Sequence, residues 1–90
     1  MPVIELKSFS QHLSSADLAR ALRSKVSGEK TTFDFNGVES VSAVFMEELF
    51  GRLMESMGHK MFTEHVDWSG LDAGQMQLLG EILAKHDHKR

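Results

Sequence analysis

The sequence predicts a small α/β fold, a three- to four-stranded mixed or parallel sheet layered with about three helices. Apolar, β-branched segments alternate with helical ones along the chain, the order that builds an α/β layer. A length of 90 residues gives room for one domain, expected to span residues 1–90. A single proline, Pro2, leaves long elements uninterrupted. The end of the chain, His86-Asp87-His88-Lys89-Arg90, is short and charged and is expected to fray.

Each element has a local cause. Val3 to Leu6 alternates and holds two β-branched residues, a short strand. Ser14 and Asp17 then have capping-box spacing, with Leu13 and Leu18 placed as a hydrophobic staple. Leu18, Leu22 and Val26 recur on one helical face, and Gly28 can end that helix in a left-handed conformation. Thr31-Thr32-Phe33-Asp34-Phe35 reads as the central strand, and Asn36-Gly37 as the turn after it. Asp34 lies between two phenylalanines, so its carboxylate must find donors or reach water.

Ser42 can cap the second helix. Phe45, Met46, Leu49, Phe50, Leu53, Met54 and Met57 give it a wide apolar stripe, ended by Gly58, with Glu48 and Arg52 paired on the opposite side. Lys60 to Val66 is expected to be the third strand, followed by a turn at Trp68-Ser69-Gly70. Asp72 and Gln75 form a second capping-box candidate, with Leu71 and Met76 at staple spacing and Ser69 competing for the start. Leu78, Leu79, Ile82 and Leu83 supply the last buried face, which Gly74 and Gly80 weaken by about 1 kcal/mol each relative to alanine.

Composition excludes several function classes. Hydrophobic residues are 41% and charged residues 26% of the chain, too apolar for a disordered one. The lack of cysteine removes disulfide scaffolds, zinc knuckles, iron–sulfur sites and thiol nucleophiles together. A net charge of −3 offers no broad basic face, so no nucleic acid is expected. The first residues lack a basic and apolar leader, and no stretch approaches the ~20 apolar residues of a span. A cytoplasmic protein without a membrane partner is expected.

Candidate chemistry is sparse. Glu47 and Glu48 are adjacent on a helix, diverge by about 100° and cannot easily share one ion. Asp34 and Glu39 read as a strand-end and a loop carboxylate. His12, His59, His65, His86 and His88 have no metal-ligand spacing within a helix, and no metal or cofactor is expected; His65, on the expected strand, is the candidate for a buried hydrogen bond. Trp68 reads as a core plug before an interface anchor, and the methionines as core filler. Ser14 and Ser15 lack a nucleophile elbow, and no phosphate-binding glycine loop is present.

The stretch from Thr32 to Phe50 carries a resemblance. Asp34-Phe35, Gly37-Val38, Ser42 and Phe45-Met46-Glu47-Glu48-Leu49 are similar to the strand–loop–helix signature of STAS domains, the fold of anti-sigma-factor antagonists and sulphate-transporter tails. They resemble more closely a small STAS-like family in which a Phe-Ala-Asp-Glu-Leu run opens the helix. Leu13 to Arg20 suits that family's first helix, and the similarity spans most of residues 13–57. Met46 and Glu47 replace the family's Ala-Asp. In phospho-regulated STAS proteins an Asp-Ser pair opens the helix, and a kinase modifies the serine. Here Ser42 stands at the aspartate and Ala43 at the serine, so the usual phosphorylation site is missing.

The resemblance implies a non-enzymatic, regulatory protein-binding module whose partner is another protein, including ATP-binding kinase-like regulators. The expected contact residues are Asn36, Gly37, Glu39, Ser40, Ser42, Val44 and Glu47, with Ser42 and Ser40 as candidate phosphorylation sites. A phosphate on Ser42 would sit at the favourable end of a helix dipole; the plainer reading of both serines is a cap and a loop residue. The alternative is a homo-oligomerising structural subunit, a homodimer built on a bare sheet face or edge strand. A small enzyme using Asp34 and Glu47 ranks last.

Overall fold

The computed structural model describes residues 3–26 and 29–86. The expected stop at Gly28 and the tail residues 87–90 lie outside them. Strands β1 (Val3–Glu5), β3 (Thr31–Asp34) and β5 (Val66–Ser69) form a parallel sheet in the order β1-β3-β5, so Thr31–Asp34 is the central strand. Phe35 continues the pairing one residue further, its N–H donating to the Ser69 carbonyl at 2.8 Å. A second pair, β2 (His12–Leu13) and β4 (Ser40–Val41), is also parallel.

The register decides which sheet face is covered. Ile4, Phe33 and Trp68 align across the three strands, and Thr31 aligns with Val66. Thr31, Phe33, Phe35 and Val66 are buried on that face, with Ile4 and Trp68 packed against the same core. Val3, Thr32 and Asp67 make one row of the opposite face, and Glu5, Asp34 and Ser69 the next. These six are exposed or half-exposed, so the helices cover one face and leave the other polar.

Helix α1 (Ala16–Arg23) starts one residue later than the spacing suggested. Ser15, not Ser14, is the cap, its Oγ accepting the Leu18 N–H at 3.2 Å. That phase turns Ala19 and Leu22 fully inward. Asp17 therefore closes no capping box; it bonds Arg20 on the helix surface.

The main helix begins as predicted, with Ser42 Oγ accepting from Phe45 N at 3.1 Å. It runs from α2 (Ala43–Met46) through a π turn (Glu47–Gly51) into α3 (Arg52–Met57). The expected stripe is buried from Phe45 to Met54, with Met57 partly so. Phe50, in the π turn, is the aromatic centre: its ring lies 5.5 Å from Phe33, 5.6 Å from Trp68, 6.1 Å from Phe35 and 6.3 Å from Phe62. Trp68 is thus half-buried against the core rather than placed in a turn.

The largest departure follows Gly58. Residues His59–His65 form a helix, α4, rather than a strand, and the strand is displaced to Val66–Ser69. Phe62 and Val66 are both buried and Met61 is 45% exposed. A short apolar run satisfies both periods. Within His59–His65 only Thr63 is β-branched, while Lys60, Met61 and Glu64 favour helix. His65 consequently sits on a helix, with Nδ1 3.1 Å from the Met61 carbonyl.

The last helix, α5 (Ala73–His86), opens with the predicted reciprocal box. Asp72 Oδ1 accepts from Gln75 N at 2.8 Å, and Gln75 Oε1 accepts from Asp72 N at 3.1 Å. Leu79 and Ile82 are buried, whereas Met76 stays 45% exposed. His86 is not part of a frayed tail. It ends the helix with its side chain 12% exposed, against Glu55 and Glu47.

Candidate functional site

The loop after β3 is fixed from three sides. Asp34 Oδ1 accepts both the backbone N–H and the side-chain amide of Asn36, at 2.9 and 2.7 Å, which meets its need for donors. Gly37 has φ +86, and a Cβ there would lie 2.8 Å from Lys7 Cδ. Glycine is therefore required for the backbone conformation, and the Lys7 side chain, exposed and flexible, packs over it.

β2 holds the outgoing limb. Glu39 N and Ser40 N both donate to the Gln11 carbonyl, at 2.8 and 3.1 Å, and Ser42 N donates to the Leu13 carbonyl at 2.8 Å. Sequence reasoning missed this clamp, because two strands of two residues each have no periodicity to read. It also missed His12, whose Nδ1 shares a 2.9 Å hydrogen bond with Ser40 Oγ and whose Nε2 lies 3.8 Å from Glu39 Oε1.

A serine, a histidine and a carboxylate in line invite comparison with a nucleophilic triad. The His12 and Glu39 side chains are 66% and 65% exposed, and the neighbouring N–H groups of Glu39 and Ser40 are spent on Gln11. Stabilisation of an oxyanion needs free donors in a water-excluded setting. What the arrangement does provide is a loop of fixed shape.

The predicted residues divide into two sets. Asn36, Gly37, Glu39, Ser40 and Val44 are exposed and share the end of the sheet where β3 leaves it. Val44, in the first turn of α2, is 56% exposed although it is a large aliphatic residue beside a buried helix face. Ser42 is half-buried, with its oxygen committed to the helix cap. Glu47 points elsewhere, to α5, where it bonds Lys85 and lies 3.6 Å from His86 Nε2. The Lys85 ammonium, more than burial opposes it, holds the Glu47 carboxyl below the ordinary carboxylate range. Glu48 faces α1 instead, as the divergence of adjacent helical residues requires.

Among the described residues no group of three or more histidines and carboxylates could hold a metal ion, and no helix is long and apolar enough to cross a membrane. Residues 17–76 match the family described as a STAS-like domain of unknown function (DUF4325). The chain belongs to this STAS-like family. The match covers α1 from its second residue, the central strand, the loop after it and the main helix, while β2, which clamps that loop, lies before it. No curated protein and no solved structure matches the chain.

Proposed function

We propose that this STAS-like domain is a non-enzymatic protein-interaction module with a regulatory role, acting in the cytoplasm. Its contact surface is the clamped loop from Asn36 to Ser42 together with the first turn of α2. The observation that carries the reading is Val44, 56% exposed beside a loop whose backbone is pinned by β2. A rigid loop with an exposed aliphatic residue loses little entropy on binding. Phe9, 48% exposed just before β2, is a second apolar residue on the segment that clamps this loop.

The partner is another protein, of the class of the ATP-binding kinase-like regulators that bind anti-sigma-factor antagonists. Ala43 stands where those antagonists carry phosphoserine, so regulation acts either without phosphate or through Ser42 or Ser40. Of these, Ser40 is exposed, while phosphate on Ser42 would replace the cap oxygen at the start of α2.

Val44→Asp puts a charge into this patch without touching the core. Affinity capture with the wild-type chain, read by mass spectrometry, should return a partner that the Val44→Asp chain loses at unchanged melting temperature. Recovery of the same proteins by both chains would remove this surface from consideration.

The alternative, a homo-oligomerising structural subunit, draws on one observation: among the described residues β1 and β5 are the edges of the sheet, and Val3 on β1 is 58% exposed. Against it, the open face places Glu5 beside Asp34, so face-to-face pairing would bring carboxylates together. Light scattering separates the two readings: a stable dimer favours the subunit, a monomer the module.

A further inference from the structure

A second surface lies where α1 ends and α3 runs. β1, β3 and β5 are parallel, so both helical connections return toward the strands' starting end, opposite the clamped loop. A wide, open cleft of about 700 Å³ lies there, its lining including Arg20 and Arg23 of α1, Arg52, Leu53, Glu55 and Met57 of α3, and Val26 between them.

The three guanidinium groups surround one half-buried carboxylate. Glu48 Oε1 lies 4.0 Å from Arg20 and 3.9 Å from Arg23, and Glu48 Oε2 lies 3.8 Å from Arg52. Arg52 also lies 3.6 Å from Glu55. These separations give Coulomb attraction but exceed hydrogen-bond length. Arg20 bonds Asp17; Arg23 and Arg52 donate no side-chain hydrogen bond among the described residues. A guanidinium carries five N–H donors and binds carboxylates in a bidentate fork. Glu48 therefore gathers the three cations, and Glu55, on the same lining, shares Arg52; Arg23 and Arg52 keep N–H donors that no side chain takes among the described residues.

The floor beneath them is apolar, with Leu53 buried and Val26 and Met57 partly so. A small inorganic anion would use the arginines and leave this floor wet. The lining holds no aromatic ring on which a nucleobase could stack. The ligand that uses both features is a polypeptide with carboxylates next to aliphatic side chains. We propose that the cleft between α1 and α3 docks an acidic, aliphatic-flanked segment of a protein partner, with Arg20, Arg23 and Arg52 binding its carboxylates and Val26, Leu53 and Met57 its aliphatic groups. This site is separate from the loop surface and stands or falls without it.

The test is fluorescence anisotropy with a labelled short peptide of alternating glutamate and leucine, and a control peptide with glutamine for glutamate. The full chain should bind the first saturably, bind the second at least about tenfold more weakly, and lose affinity as salt rises. The Arg23→Gln/Arg52→Gln chain should lose about tenfold or more, while Arg23→Lys/Arg52→Lys, which keeps charge and fold, should fall between. Val44→Asp should bind as the wild type does. Inorganic phosphate and ATP at the peptide's own concentration should not displace it. Equal binding of both peptides, equal binding by the glutamine variant with its circular dichroism unchanged, or displacement by phosphate or ATP would overturn the proposal.

Discussion

Phe50 shows how much of this fold one side chain carries. Its ring is fully buried and touches the rings of Phe33, Phe35, Phe62 and Trp68, which come from β3, the segment after it, α4 and β5. Truncation would leave a void that four rings from separate elements cannot all close. Phe50→Ala should cost about 3–5 kcal/mol, a large part of the ~5–15 kcal/mol that holds a domain of this size together. Urea denaturation checks this, and a loss below about 1 kcal/mol would show that the cluster repacks.

Glu47 gives the residue scale its pH dependence. The Lys85 contact lowers its folded-state pKa relative to the unfolded chain, so the ionised form is favoured by folding. That contribution is fully present above the unfolded value and is lost as pH falls through the lower, folded one. Melting temperatures of the wild type and Glu47→Gln should therefore differ near neutrality and converge on acidification below the carboxylate range. A gap that persists unchanged in acid would place the effect of the substitution elsewhere.

Among the elements, those with a local cause were legible in the sequence. The Ser42 cap, the Asp72–Gln75 box, the Asn36-Gly37 turn and the stripe from Phe45 to Met54 all rest on interactions within a few residues. Elements decided at a distance were not. Val66, rather than Lys60, begins β5 because Thr31 pairs with it across the sheet. The β2–β4 bridge exists because Gln11 and Leu13 offer carbonyls to a loop about 28 residues away.

The packing of the π turn belongs with these, since Gly51 meets α5. Gly51 is buried, and a Cβ there would lie 2.9 Å from the His86 ring. No residue near Gly51 in sequence announces that contact, which is also why His86 read as tail. Gly51→Ala should push the His86 ring out of its place between Glu47 and Glu55 and loosen the end of α5. Amide exchange at Ala84–His86 should rise well above the wild type's, while exchange in β3 stays slow. Equal protection in both chains would mean that the His86 ring shifts without cost.

For the whole molecule, the pattern is one packed face and one open one. Helices cover the sheet on the side of Phe33 and Val66 and leave Glu5, Asp34 and Asp67 on the other. The sequence hinted at this through Asp34, a carboxylate between two buried phenylalanines, but strand order had to come from the structure. The candidate site was half legible. Asn36, Gly37, Glu39, Ser40 and Val44 lie together on the exposed end of the sheet, whereas Glu47 turned out to belong to the packing of α5. Its partners Lys85 and His86 come from α5, about 38 residues further on, and nothing near Glu47 in the sequence announces them. His12, brought beside Ser40 by β2, joined the site with no sequence signal at all.

On the proposed function, the clamped loop and the first turn of α2 meet another protein. A photo-crosslinking amino acid in place of Val44, compared with the same group in place of exposed Thr63 on α4, tests it in the native cell. A discrete crosslinked protein species is expected at position 44 and not at position 63. Adducts at neither position, or the same adducts at both, would contradict the proposed function.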